Sequence, residues 1–275
     1  MAVDSARETG PQLITPVADN EPEGEGIVGA TMTLVEHLEE LRRRIFVAAI
    51  AVAVLSIVSF IFWEQIFSFL LSPLPAAVDK IVQPGGHPVA GQGPRLVVTG
   101  IGESFLIAIE VSLAVGIALA APIILYQVWG FIAPALTARE RRYALPFTLL
   151  GVGLFIAGLA TGFIVLRYPV DWLISFGSDR FQMLLTADSY FTFVAYFLLA
   201  FGIVFELPLV ITCLGVVGIV NSRVLRAKRM YILFGLWLLS CFITPGADPY
   251  SPVIIGVAFT ILFELSIILL RILKH

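Results

Sequence analysis

The segment HLEELRRRIFVAAIAV, residues 37–52, sets Glu39 and Glu40 against Arg42, Arg43 and Arg44 at the mouth of an apolar run that continues to residue 69. Arginines alone would anchor a membrane helix, because their stems lie in hydrocarbon while their charges reach water. The carboxylates therefore need a reason of their own. Part of it is local. Glu39 and Glu40 stand four residues before Arg43 and Arg44, which puts each pair on one helix face and contributes about 0.2–0.5 kcal/mol per pair. Acid in a first turn also suits the positive end of the helix dipole.

Hydrophobic residues make up 59% of the 275, mean hydropathy is +0.96 and only 13% of residues are charged. Soluble domains carry about 25% charged residues, so the chain reads as an integral membrane protein, all-α and polytopic. About 20 apolar residues are needed to cross ~30 Å of hydrocarbon. Six runs are candidates: 45–69, 105–129, 144–166, 191–217, 230–242 and 252–270. The fifth offers about 13 residues, or some 20 Å of helix, which requires either a re-entrant hairpin or a thinned bilayer. Polar flanks on both sides, Lys228 with Arg229 and Pro245 with Pro249, favour thinning.

Basic residues orient the spans. One side carries Arg42 to Arg44, then Arg139, Arg141 and Arg142, then Arg223, Arg226, Lys228 and Arg229, then Arg271 and Lys274; the other has Lys80, Arg95, Arg167 and Arg180. Both termini are accordingly expected in the cytoplasm. Residues 1–30, rich in Pro, Gly and Glu without apolar periodicity, read as a disordered acidic extension ahead of a membrane domain over 31–275. Cys213 and Cys241 each sit in an apolar run and read as small buried residues. His37, His87 and His275 are too far apart in sequence for metal-ligand spacing, and no phosphate-binding glycine loop occurs. Neither a cofactor nor a nucleic-acid partner is expected.

Five motifs in order give the pattern an identity: HLEELRRR before the first span, APIILYQVWGFIAPALTARERR over residues 121–142, FELP over 205–208, LRAKRMY over 225–231, and ITP followed by Asp248. This sequence resembles the TatC family, receptor subunits of the twin-arginine protein translocase, from about residue 34 to 271. The resemblance implies six transmembrane helices in a cupped bundle, the last two short, in the bacterial cytoplasmic membrane. It also implies recognition of twin-arginine signal peptides on folded precursors, single-span partners of the TatA and TatB kind in an oligomeric complex, and energy from the proton-motive force rather than catalysis.

The resemblance assigns signal-peptide binding to Glu40 and Glu140, with Phe131, Gln127 and Arg42 at the same face. Two carboxylates on separate segments can each take a planar guanidinium bidentately, which lysine satisfies less well. Flanking arginines would keep those carboxylates ionised and repel stray cations. Inside the membrane, Glu206 in AFGIVFELPLVIT is costly if ionised, about 2.5–3.5 kcal/mol by insertion scales, and reads either as a protonated, hydrogen-bonded group or as a polar docking point for a partner helix. Pro208 removes a helix hydrogen bond beside it and is expected to kink the span. Glu264 is expected to snorkel or pair with Arg271. Glu110 is left between these roles. Asp248 reads as a turn former or, by resemblance, part of an outer edge where partners dock. There the sequence departs from the family's TPPD followed by Ser and Gln, with an extra residue before Asp248 and Pro252 in the Gln place. The alternative function is a proton-coupled transporter of a small solute, relaying protons between Glu206 and Glu264.

Overall fold

The computed structural model describes residues 34–74, 96–132, 144–176, 185–216, 218–246 and 248–273. The acidic extension and Glu140 lie outside the described residues, as does most of the long connection after the first span. Among the described residues the chain forms α1 Leu34–Ile61, α2 Trp63–Leu71, α3 Glu103–Ile132, α4 Ala144–Val165, α5 Arg167–Ser175, α6 Ala187–Phe205, α7 Leu207–Val216, α8 Ser222–Ala227, α9 Arg229–Ile243 and α10 Tyr250–Leu273. One isolated parallel bridge joins Val97 to Thr186, with Val97 N donating to Leu185 O at 3.1 Å and Ala187 N to Val97 O at 2.8 Å.

Five stretches are long and apolar enough to cross a bilayer: Val35–Ile61, Glu103–Ile132, Leu145–Ser175, Ala187–Gly215 and Tyr250–Ile272. The sixth expected run is α9, whose 15 residues span about 22 Å. The last helix corrects the expectation that the final two are short. α10 has 24 residues, about 36 Å, and so only the fifth run is short. The reason lies at its ends. Pro252 sits in the first turn, where a missing N–H costs no hydrogen bond, and the helix continues past residue 270 through Arg271.

α6 is the central helix, packed on α3, α4 and α10, while α10 gathers α7, α8 and α9 around it. Val194, Phe197 and Phe201 of α6 are fully buried, against Val111, Ile255 and Phe259 among others. Lipid tails are as apolar as these side chains, so burial alone does not drive the helices together. Close packing does, through small residues at crossings. A Cβ on Gly158 would stand 2.6 Å from Phe201 O, and one on Gly116 would stand 2.1 Å from Ser56 Oγ. α1 rests on α3 and leaves Ile45, Ile50, Val54, Ile57 and Ile61 exposed to lipid. A buried bond from Tyr190 Oη to Leu70 O, 2.7 Å, ties α6 to α2.

The fourth span breaks at Glu206, two residues before Pro208. Proline has no N–H to offer the carbonyl four residues back, so the ladder fails there. Glu206 N turns instead to Ile203 O, at 3.0 Å, and the helix resumes with Val210 N donating to Glu206 O at 3.0 Å. The third span breaks in the same way at Leu166, ahead of Pro169. One cysteine expectation is also corrected: Cys213 is buried, but Cys241 is exposed on the lipid side of α9, which packs mainly against α10.

Candidate functional site

α1 begins and α3 ends at the same end of the bundle, and there three side chains converge. Arg44 Nε donates to Glu40 Oε1 at 3.0 Å, Arg44 Nη2 bonds to the same oxygen, and Arg44 Nη1 donates to Gln127 Oε1 at 3.3 Å. The i,i+4 spacing brings Arg44 over Glu40, and the α1–α3 crossing supplies Gln127. The side chains of Glu40 and Arg44 are only 12% and 19% exposed, so this pair is not an ordinary solvated one. Glu40 Oε2 is buried and has no hydrogen-bond partner among the described residues.

The wall behind the pair is Gly130, where an added Cβ would stand 2.0 Å from Arg44 Nη1. Beside it, the His37 ring stacks on Phe131 with centroids 4.3 Å apart and planes at 17°. Trp129 stacks on Phe147 of α4 at 4.8 Å, pinning together the two helices that flank the segment carrying Glu140. Arg42 does not join the cluster. It is exposed, with its guanidinium 6.0 Å from the Phe46 ring. Glu39 is exposed as well, and no Glu39–Arg43 ion pair forms among the described residues. The sequence thus brings Glu40, Gln127 and Phe131 to one place. Arg44, His37 and Gly130 complete the cluster beside them. The spacing Glu40 to Arg44 pointed to the first; nothing in a single sequence pointed to the other two.

Glu206 occupies a different place, inside the bundle. A Cβ on Gly151 of α4 would stand 3.2 Å from Glu206 Oε2, 3.2 Å from Leu125 Cδ1 and 2.8 Å from Leu209 Cδ2. The glycine thus leaves the room that the carboxylate uses between α3, α4 and α7. Both Glu206 oxygens are buried without a hydrogen-bond partner among the described residues. Pro208 beside it is fully buried. A separate groove of about 850 Å³ runs between α2, α3, α4 and α6. It is lined by apolar side chains such as Phe69, Val115, Phe155 and Leu198, with Gln65 as its polar residue, and it holds neither Glu206 nor Glu264.

Glu264, Glu110 and Asp248 each have a partner. Glu264 is ion-paired with Arg229 Nε at 2.9 Å, not with the expected Arg271, because α9 and α10 run antiparallel and bring the start of α9 level with residue 264. Glu110 Oε2 accepts from Thr192 Oγ1 at 3.1 Å, linking α3 to α6. Asp248, 4% exposed, accepts from Ser251 N at 2.6 Å and Ser251 Oγ at 2.7 Å, and so caps α10. Among the described residues no His, Cys, Asp and Glu side chains cluster as metal ligands.

The family model for the Sec-independent protein translocase protein TatC matches residues 36–258. The chain belongs to the TatC family. A TatC relative from Desulforapulum autotrophicum is 36% identical over 234 residues, covering 85% of this chain and 82% of its own. Another, from Carboxydothermus hydrogenoformans, is 33% identical over 244 residues, 88% and 94% of the two chains. A crystal structure of the twin arginine translocase receptor TatC superposes with a TM-score of 0.71 at 31% identity, covering 87% of this chain and all of that one. The same receptor in the detergent DDM gives 0.72 at 32% identity over 85% of this chain. TatC proteins are translocase receptors, not enzymes, and this member is a multi-pass membrane protein.

Proposed function

We propose that this TatC-family protein binds twin-arginine signal peptides of folded precursors at the end of the bundle that carries Glu40. That end faces the cytoplasm of a bacterium, with both termini there, and the chain nucleates a complex with TatA- and TatB-type single-span proteins driven by the proton-motive force. One observation carries the reading: Glu40 already holds a guanidinium, that of Arg44, and keeps a second buried oxygen without a partner. A site whose resident ligand is an arginine is chemically fitted to accept another. Two planar guanidiniums can then be taken by Glu40 and by Glu140, whose segment is flanked by the Trp129–Phe147 stack.

The resident pair also provides selection. An incoming peptide must displace Arg44 or share Glu40 with it, and a lone cation gains too little for that exchange. Gln127 and the His37–Phe131 stack form the edge along which the peptide backbone lies. Arg42 stands outside this contact set and acts as an exposed charge at the rim. Within the membrane, Glu206 offers two unpartnered oxygens to a polar side chain of a partner's helix, beside the break made by Pro208. Asp248 acts on partners through the start of α10 that it caps. The transporter alternative gains no support, since Glu264 is paired with Arg229.

The test is site-specific photocrosslinking. A photoreactive residue beside either carboxylate, at position 39 or 139, should crosslink to a twin-arginine signal peptide, and changing both peptide arginines to lysine should abolish the product. Equal crosslinking of the lysine peptide at both positions would refute the assignment.

A further inference from the structure

We propose that the corner between α8 and α9 binds the headgroup of an anionic phospholipid. Arg223, Arg226, Lys228 and Arg229 fall within seven positions, all exposed, and residues 219–246 contain no acid. Arg229 is committed to Glu264. Arg223, Arg226 and Lys228 have no carboxylate partner among the described residues. α8 holds them in a fixed direction. Leu225 is buried against Phe263, Ile267 and Leu270 of α10, Asn221 Oδ1 caps the helix by accepting from Arg223 N at 3.2 Å, and the basic side chains are exposed around this anchor.

The short helix that follows, held in register on α10, separates this corner from an ordinary row of basic anchors. The Arg229–Glu264 pair fixes the start of α9 level with residue 264, seven residues before Arg271 on the same helix. At 1.5 Å per residue the Arg229 guanidinium therefore sits about 10 Å along α10 from Arg271. Midway along, α9 is tied to α10 again by Trp237 Nε1 donating to Thr260 Oγ1 at 3.2 Å. The helix therefore cannot slide to cover the deficit of about 8 Å between its length and the hydrocarbon thickness. Unpaired cations beside an exposed apolar helix face need either water or counter-charge, and a phosphodiester supplies the latter.

The neighbours indicate a lipid rather than free phosphate. Met230 and Tyr231, directly after the cations, are 78% and 81% exposed, and Phe234 follows at 73%. A phosphate held by Arg223, Arg226 and Lys228 thus carries its acyl chains down an apolar, uncovered helix face.

The test uses the full-length protein in phosphatidylcholine nanodiscs containing a phosphatidylglycerol with a photoreactive headgroup, with crosslinks mapped by peptide mass spectrometry. Crosslinks should concentrate on residues 219–231 and fall about tenfold or more in the triple variant R223Q/R226Q/K228Q. The charge-preserving variant R223K/R226K should keep them, which separates lost charge from a damaged fold. Unlabelled phosphatidylglycerol should compete, and phosphatidylcholine should not. Equal labelling in the triple variant, equal labelling by a photoreactive phosphatidylcholine, or competition by inorganic phosphate alone would each overturn the proposal.

Discussion

Arg44 lies against Gly130: a Cβ on that glycine would stand 2.0 Å from Nη1 and 2.7 Å from Cζ of the arginine. The clash falls on the far end of a flexible side chain, so an alanine there moves the arginine and not the helix. α3 thereby controls whether the Glu40 carboxylate is occupied, because Gly130 is the surface on which the occupying guanidinium rests.

Gly130→Ala is therefore expected to displace Arg44 from Glu40 while leaving the bundle intact. One charge-assisted hydrogen bond contributes about 1.5–3 kcal/mol, so removing the resident competitor should tighten signal-peptide binding by about tenfold. Preference for paired arginine over paired lysine should fall, since the peptide no longer has to outcompete a guanidinium. Fluorescence anisotropy with labelled arginine and lysine peptides measures both. Weaker binding, with discrimination unchanged, would show that Arg44 supports the peptide rather than competing with it.

Five of the apolar spans, the break near Pro208 and the pairing of Glu40 with Arg44 are legible because each rests on a local rule: apolar run length, a missing N–H, an i,i+4 spacing. The unread parts depend on contacts between helices. Arg229 rather than Arg271 pairs with Glu264 because of the α9–α10 register, which no single helix encodes. His37 meets Phe131 for a similar reason, through the crossing of α1 and α3. α10 is longer than its apolar run because Pro252, which reads as a boundary in sequence, sits inside the first turn. Cys241 was read from its apolar neighbours, which in a membrane helix do not distinguish the lipid side from the core.

Gly116 on α3 and Gly153 on α4 serve as test and control for the packing of α1 on α3. A Cβ at Gly116 would stand 2.7 Å from both Ser56 Cα and Ser56 N, backbone atoms that no rotamer change can move, whereas one at Gly153 meets nothing within 4 Å. Gly116→Ala is expected to cost about 1–3 kcal/mol by forcing the two helices apart. Gly153→Ala should be neutral or slightly stabilising, since alanine is the better helix former by about 1 kcal/mol. Thermal unfolding in detergent, followed by circular dichroism, compares the two. Equal melting temperatures would mean that α1 is free to move away from α3.

Asp248 tests whether the turn before α10 is a cap or a contact. Asp248→Ala removes both bonds to Ser251, and a lost N-cap typically costs about 1 kcal/mol. Asp248→Ser can still accept from an early backbone N–H and should recover part of the stability. If the residue acts by holding α10, partner association should follow the same order as melting temperature: wild type, then serine, then alanine. A fully stable Asp248→Ser variant that loses partner association would instead make the carboxylate a direct contact.

Glu206 gives the opposite sign, and this separates a working group from a structural one. A buried polar group without a partner costs about 1–3 kcal/mol, so a residue kept only for stability should not look like this. Glu206→Leu removes the unpaired oxygens, and its melting temperature in detergent is expected to match or exceed that of the parent. Signal-peptide binding should stay within about twofold, because Glu206 lies within the bundle, between α3, α4 and α7, and takes no part in the Glu40 cluster. Export of a folded precursor in membrane vesicles should drop by about tenfold or more, with Glu206→Gln retaining an intermediate rate because it keeps a hydrogen-bonding group. Stability gained together with transport lost identifies a carboxylate held in readiness for a partner. A leucine variant that exports at the parental rate would leave Glu206 without a role in transport.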